Sequence, residues 1–174
     1  MTEEQIQKTI ETGYLQLKLK YKLKHYFFPI LLFLLVPAAH LFLLISSPLV
    51  RQTERMYWMY LISFSAGIAV LFLQRKRLKI KVIETKLHYN EIMQRIEKLA
   101  NELKFIPVIS TEKVLIARRF PVGFQLSWGE QITLIFDKNK LLINSICDPE
   151  QQASLVSGGR NAENINAIRN ELSI

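Results

Sequence analysis

The chain has 174 residues, of which 49 % are apolar and 22 % are charged, and its formal net charge is +8. Its single cysteine excludes an intramolecular disulfide framework and any metal site that needs several cysteines. Nearly all the uninterrupted hydrophobic sequence lies in two blocks within the first 73 residues. This segregation excludes a large soluble enzyme and indicates a membrane protein.

Residues 1–25 predict an amphipathic cytoplasmic segment. Thr2 to Gln5 fits a capping box, and apolar residues follow at four-residue spacing as far as Tyr14, so a short helix is predicted. From Leu15 to Lys24 apolar and polar residues alternate, which is typical of a half-buried strand. An interfacial helix whose lysines reach lipid headgroups fits the same stretch. Continuity with the next element favours the helix.

The two apolar blocks predict a transmembrane hairpin over residues 26–73. Residues 26–47 contain no Asp, Glu, Lys or Arg, and at about 1.5 Å per residue they can cross a hydrocarbon layer of about 30 Å. Residues 56–73 are also uncharged and are near the lower length limit for a span. The short connection makes the two helices antiparallel neighbours. A cleavable signal peptide is the alternative for the first block, but its length and the lack of a small-residue cleavage site disfavour it.

The excess positive charge lies beside the predicted hairpin. Residues 105–174 contain seven basic and seven acidic residues, so the excess belongs to residues 1–104 and favours lipid phosphate over nucleic acid as a partner. Basic residues precede the first block and follow the second, whereas the connection has few, so both termini are predicted in the cytoplasm. A basic residue near an anionic leaflet contributes about 1 kcal/mol of attraction. We expect anionic headgroups at five basic residues, with the alternative that these only set topology: Arg75, Lys76, Arg77, Lys79 and Lys81.

Residues 74–104 carry apolar residues at alternating spacings of three and four, which predicts one juxtamembrane helix. A second apolar stripe at Ile80, Ile83 and Leu87 gives this helix two apolar faces. One face is expected to cover the C-terminal sheet. An alternative adds a contact of the other face with a second copy of the chain or another subunit.

Residues 105–174 predict a small cytoplasmic α+β domain. Alternating apolar positions predict strands near 114–116, 124–128, 132–136 and 141–147, with a tight turn at 137–140 and a further short strand at 154–156. Asn161 is expected to cap a terminal helix that docks Ile165, Ile168 and Leu172 on the sheet. The fold class is therefore a membrane α-helical hairpin of two helices plus a small α+β antiparallel-sheet domain with a C-terminal helix. About 70 residues bury a marginal core, so neighbouring segments are expected to support it.

Several short motifs accompany this order of elements, namely Ser127 to Glu130 with Ile132, Asn144 with Ser145, and Gly159 to Asn161 with Asn164. With the two-helix anchor, they resemble uncharacterised bacterial membrane proteins that carry a small cytoplasmic pleckstrin-homology-like (PH-like) module, as in the YcxB-like group. The resemblance implies a multi-pass protein of the bacterial inner (plasma) membrane. It also implies more strands than the sequence shows after Pro107, and it carries over no catalytic or ligand residues.

No reaction centre is visible in the sequence. His25, His40 and His88 lie in the pre-span segment, the first span and the juxtamembrane region, and no Walker A, HExxH, GxSxG or paired-cysteine motif occurs. Cys147 is expected to be a small buried strand residue rather than a nucleophile. We therefore expect no enzymatic activity, no catalytic residue, no cofactor and no metal site.

Two single residues carry site hypotheses. His40 is the only ionisable residue within a span, and we expect a neutral imidazole that is hydrogen-bonded across the hairpin. Arg160 follows two glycines and precedes a helix, a setting in which a lipid headgroup or small anion can bind. An ordinary loop with a helix cap is the alternative there.

These features predict a non-catalytic inner-membrane protein whose small cytoplasmic domain mediates protein–protein interaction or assembly. The partner is expected to be a second copy in a homo-oligomer or a larger membrane complex in which the chain is an accessory subunit. The alternative is a membrane-anchored sensor or effector that binds a lipid headgroup or a small anionic ligand.

Overall fold

A computed structural model describes residues 1–46, 54–120, 128–151, 157 and 159–172. Its helices are α1 (Glu3–Thr12), α2 (Leu19–His25), α3 (Phe27–Ser46), α4 (Glu54–Arg77), α5 (Tyr89–Leu103) and α6 (Arg160–Leu172). Its strands are β1 (Lys81–Glu84), β2 (Phe105–Ser110), β3 (Val114–Arg119), β4 (Glu130–Asp137) and β5 (Lys140–Cys147). The predicted layout of two long apolar helices, an antiparallel sheet and a C-terminal helix is confirmed at this level.

Helices α3 and α4 pack side by side as a hairpin, and both are long and apolar enough to cross a membrane by length and composition. Only 17 % of the apolar window of α3 and 11 % of that of α4 is buried, whereas the core helix of a soluble protein is mostly buried. A Cβ atom at Gly67 would lie 2.8 Å from the ring of Phe33. Gly67 therefore allows the two helices to approach closely while most of their apolar surface faces outward.

The five strands form one antiparallel sheet in the order β1-β5-β4-β3-β2. Strands β2 to β5 follow one another along the chain, and the predicted tight turn joins β4 to β5 with Lys138 at a φ of 51°. Successive side chains of a strand point to opposite faces. One face, with Ile132 and Ile143, packs against α5 and α6, and the other, with Ile135 and Ile146, packs against α1 and the residues that follow it.

The sheet domain contains segments that precede the hairpin in the sequence as well as segments that follow it. The amide of Leu15 donates to the carbonyl of Leu78 at 2.8 Å, and the amide of Ile80 donates to the carbonyl of Gly13 at 2.9 Å. The side chains of Leu15, Leu78 and Ile80 are buried with Ile6 of α1 in one core. Residues 1–25 are thus part of the same unit as the described residues between 78 and 172, and we call this unit the head.

The single helix predicted for residues 74–104 is not formed. α4 ends at Arg77, β1 pairs with β5 at Lys81–Glu84, and α5 begins at Tyr89 after a capping box formed by His88 and Glu91. Pairing with β5 gives the backbone of β1 its hydrogen-bond partners and buries Ile83 in the core between the sheet and α5. The sheet consequently begins before residue 105, the boundary that the sequence indicated, and α5 covers it with the predicted apolar stripe.

The stretch from Tyr14 to Lys24, which the sequence left open between strand and helix, contains one isolated bridge and then a helix, with no strand. Tyr14 forms an isolated antiparallel bridge with Lys79, and the chain is helical from Leu19. Asn161 does not cap α6, because the helix begins at Arg160 and the Asn161 side chain accepts a hydrogen bond from Ser145. The strand predicted at 154–156 and most of that at 124–128 lie outside the described residues.

Asn144 on β5 attaches the end of α4 to the sheet, since its Nδ2 donates to the carbonyls of Arg77 at 2.9 Å and Lys79 at 3.2 Å. Asn144→Ala should destabilise the full-length protein in detergent by about 2–3 kcal/mol, because two carbonyls lose their donor inside the protein. Thermal unfolding measures this effect. The matched control is Asn101→Ala on the exposed side of α5, which should change stability by less than about 0.5 kcal/mol. Equal stability of the two variants would contradict the attachment.

Candidate functional site

The predicted juxtamembrane basic residues lie on the last turn of α4 and in the segment that leads to β1. Arg75, Lys76, Lys79 and Lys81 are exposed, and Arg77 is half-buried. The Arg75 guanidinium lies 5.6 Å from the ring centre of Tyr14. No acidic side chain in the described ranges forms an ion pair with these five residues. Their charges are therefore available to an anionic surface.

A second polar cluster joins α2 to the sheet, and we call it the latch: Tyr21, Lys24, Arg118, Asp148 and Glu150. The Tyr21 hydroxyl donates to the Glu150 carboxylate at 2.8 Å, and the Lys24 ammonium donates to the Glu150 backbone carbonyl at 3.0 Å. Arg118 pairs with both carboxylates and lies 3.1 Å from that of Asp148. The Asp148 side chain is only 1 % exposed. The latch thus holds α2 against the head through neutralised charges.

The hydrogen bond from Tyr21, with Arg118 beside it, holds the pKa of Glu150 below its ordinary value of 4.5. The same hydrogen bond raises the pKa of Tyr21 above 10.0. Both shifts favour the state in which Tyr21 is protonated and Glu150 is ionised. At neutral pH the latch is therefore in its bonded form.

Arg160 lies in a third cluster, at the start of α6 on the opposite face of the sheet. Its guanidinium is 3.4 Å from the carboxylate of Glu130, a side chain with no exposed surface. Arg119 donates to Asn164 at 2.8 Å, and Asn164 donates to Ser145 at 3.2 Å. Glu130 thus offsets the charge that was predicted to bind an anion at Arg160.

The structure does not bring Arg160 together with the juxtamembrane basic residues. Asn144 and Ser145 are consecutive on β5 and therefore point to opposite faces. Asn144 contacts the backbone at Arg77 and Lys79, whereas Ser145 contacts α6. The six predicted lipid- or anion-binding residues therefore lie at two separate sites, Arg160 at one and the five juxtamembrane residues at the other. Of these two, only the juxtamembrane site has exposed cations.

His40 lies between the two helices of the hairpin and is 7 % exposed. Its Nδ1 is 2.6 Å from the Tyr60 hydroxyl on α4, so the expected hydrogen bond across the hairpin is present. The Ser63 hydroxyl donates to the carbonyl of Leu32, which makes a second polar contact between the helices. The arrangement fixes the register of α3 against α4.

The groups with catalytic potential are dispersed. His25 bonds the carbonyl of Gln74, His40 lies in the hairpin, and His88 caps α5. Cys147 is half-buried at the end of β5 rather than fully buried as expected. In the ranges that the structure covers, no three His, Cys, Asp or Glu side chains are placed to hold a metal ion.

The sequence reasoning missed β2 and the apolar surface it carries. Ile106, Val108 and Ile109 are 54 %, 45 % and 36 % exposed, and we call them the β2 patch. A bulge at Val108 interrupts the pairing with β3. It places Val108 and Ile109 together beside Arg118 and Tyr21 of the latch, around a cavity of about 90 Å³. A run of β-branched residues with a proline is a signal for an edge strand that could have revealed it.

No family model and no curated protein matches the chain. The candidate sites are therefore identified from the geometry and exposure of the described residues. The latch and the α6 cluster are largely satisfied by contacts within the head. The juxtamembrane cations and the β2 patch are exposed. These two surfaces are the candidates for contact with other molecules.

Glu150→Gln should weaken the attachment of α2 at neutral pH, because a neutral amide loses the ion pair with Arg118. A carboxyl group whose folded pKa is lowered stabilises the fold above its unfolded pKa, and this contribution is lost as the pH falls through the folded value. The stability difference between wild type and variant should therefore be constant above the ordinary value of 4.5 and shrink below it. Denaturant unfolding across this pH range measures the difference. A difference that does not vary with pH would show that Glu150 ionisation is not involved.

Proposed function

We propose that the chain is a non-catalytic, membrane-anchored protein whose head binds a protein partner, either a second copy or a larger membrane complex in which it is an accessory subunit. The observation that carries this proposal is the β2 patch. Its three aliphatic side chains lie on the edge strand of the head and are exposed to between 36 % and 54 %. Clustered exposed apolar side chains mark interaction surfaces.

Side chains rather than backbone pairing would carry this contact. β2 is an edge strand, and unpaired edges attract further strands. Pro107 removes one backbone donor, and the bulge at Val108 disturbs the regular edge. Both features oppose strand addition while leaving the aliphatic side chains open to a partner.

The proposal places the head in the cytoplasm and the hairpin in the bacterial inner membrane, and it treats the head as a PH-like module by architectural analogy. The basic residues on both flanks of the hairpin support this orientation. The pairing of Gly13 and Leu15 with Leu78 and Ile80 supports only the part of this orientation that puts both ends of the hairpin on the same side.

A second candidate is a sensor or effector that binds an anionic headgroup or small anion. The exposed juxtamembrane cations favour it, since the described part of the chain supplies them with no acidic partner. Arg160 contributes less to this candidate than the sequence suggested, because its guanidinium faces the buried Glu130. Binding at the end of α4 is the form that the geometry favours.

Val108→Lys should abolish a complex that forms through the β2 patch, because a charged side chain would be desolvated in the contact. The measurement is the mass of the full-length protein after extraction in mild detergent and after cross-linking in the membrane. The control is Val82→Lys on the opposite edge strand, where the valine is 51 % exposed. Wild type should give a defined homo-oligomer or a stoichiometric complex that survives only in the control. A wild-type monomer at all concentrations would contradict the proposal.

A further inference from the structure

Helix α2 has two opposite faces, and only one of them contacts the head. On a helix of 3.6 residues per turn, Leu19 and Leu23 lie within about 40° of each other, Tyr21 lies opposite to them, and Lys24 lies about 120° from their midpoint. Tyr21 and Lys24 are held by the latch. Leu19 and Leu23 are 74 % and 56 % exposed. The residues that the structure describes therefore leave the leucine face largely uncovered.

Exposed lysines border this leucine face on both sides. By the same helical geometry, Lys22 lies on one flank and Lys20 on the other. Lys18 precedes the helix as its N-cap residue. All three are exposed, and none of them forms a salt bridge with an acidic side chain in the described ranges. Lys20 is near enough to Glu150 for its charge to contribute to the lowered pKa of that carboxyl group. An apolar stripe between two cationic flanks is the pattern of a helix that lies in the membrane interface.

We propose that α2 is an interfacial helix that binds anionic lipid headgroups, with Leu19 and Leu23 inserted at the level of the upper acyl chains. This proposal rests on the membrane anchoring proposed above. The leucine face is assigned to lipid because α2 is continuous with the hairpin: α2 ends at His25 and α3 begins at Phe27. Charge supports the same assignment, because lysines complement phosphate and the leucines complement hydrocarbon.

The end of α4 extends the same cationic surface. Gln74 accepts a hydrogen bond from His25, the last residue of α2, at 2.9 Å, so the end of α2 touches the last turns of α4. Arg75 and Lys76 follow directly on α4 and are exposed. The lysines of α2 and the basic end of α4 therefore flank the hairpin together at one membrane surface.

The position of α2 is tested with the full-length protein in phosphatidylcholine vesicles that contain about 30 % phosphatidylglycerol as the anionic lipid. A fluorescent NBD label is attached to Leu19→Cys in a Cys147→Ser background, with Glu4→Cys on the exposed side of α1 as control. The label at position 19 should show blue-shifted emission and quenching by shallow doxyl lipids. The label at position 4 should be quenched by aqueous iodide. Equal iodide quenching of both labels would overturn the proposal.

Lipid selectivity is tested with the combined variant Lys18→Gln, Lys20→Gln and Lys22→Gln. Its enrichment of phosphatidylglycerol over phosphatidylcholine, measured by energy transfer to labelled lipid, should fall at least about fivefold, the equivalent of about 1 kcal/mol. The control carries the same lysine-to-glutamine change at Lys8, Lys86 and Lys140, which are also exposed. It should retain the enrichment of phosphatidylglycerol. An equal loss in both variants would show nonspecific charge attraction and overturn the assignment to α2.

A carbonate wash of the same vesicles separates the two proposals. Protein that resists the wash but shows no lipid contact at position 19 would contradict only the role of α2. Protein that the wash removes would contradict the anchoring, and with it the proposed function.

Discussion

The backbone pairing between residues 13–15 and residues 78–80 is the constraint on which the rest of the structure depends. Gly13 ends α1 at a φ of 68°, a conformation that side chains disfavour, and its carbonyl accepts a hydrogen bond from Ile80. The chain then leaves the head, forms the hairpin, and returns to the same place. The hairpin is thus an insertion between two segments that share one core, and a head mounted on a flexible linker is excluded.

This closure explains how a small sheet domain is covered. Both faces of the central strands are apolar, so each face needs a layer of helices. Residues after the hairpin supply α5 and α6 for one face only. The other face is covered by α1, which precedes the hairpin, and by Leu78 and Ile80, which follow it. The head therefore folds completely only when both ends of the hairpin meet, and Asn144 secures that meeting point from within the sheet.

The features that could be predicted from the sequence are those that depend on local chemistry. The hairpin follows from two uncharged blocks, the start of α1 from a capping box at Thr2, and the docking face of α6 from the spacing of Ile165, Ile168 and Leu172. β1 could not be predicted, because Ile80 and Ile83 also fit the spacing of a helix. The strand forms through its pairing with β5, which is distant in sequence. The latch could not be predicted for a similar reason, since Tyr21 and Glu150, whose side chains share a hydrogen bond, are 129 positions apart in the sequence.

The charges of the head are distributed according to what surrounds them. In the latch, Arg118 and Lys24 offset Asp148 and Glu150, so two carboxylates lie next to α2 without leaving an uncompensated negative charge there. Lys24 differs from the other lysines of α2 because it points to the head and bonds backbone carbonyls. One short helix thus presents a neutral face to the protein and a cationic, apolar face outward. The β2 patch adjoins the neutral side, since Ile106 is paired with Arg118 in the sheet. A partner on the β2 patch and lipid at α2 would therefore contact opposite ends of one connected set of side chains.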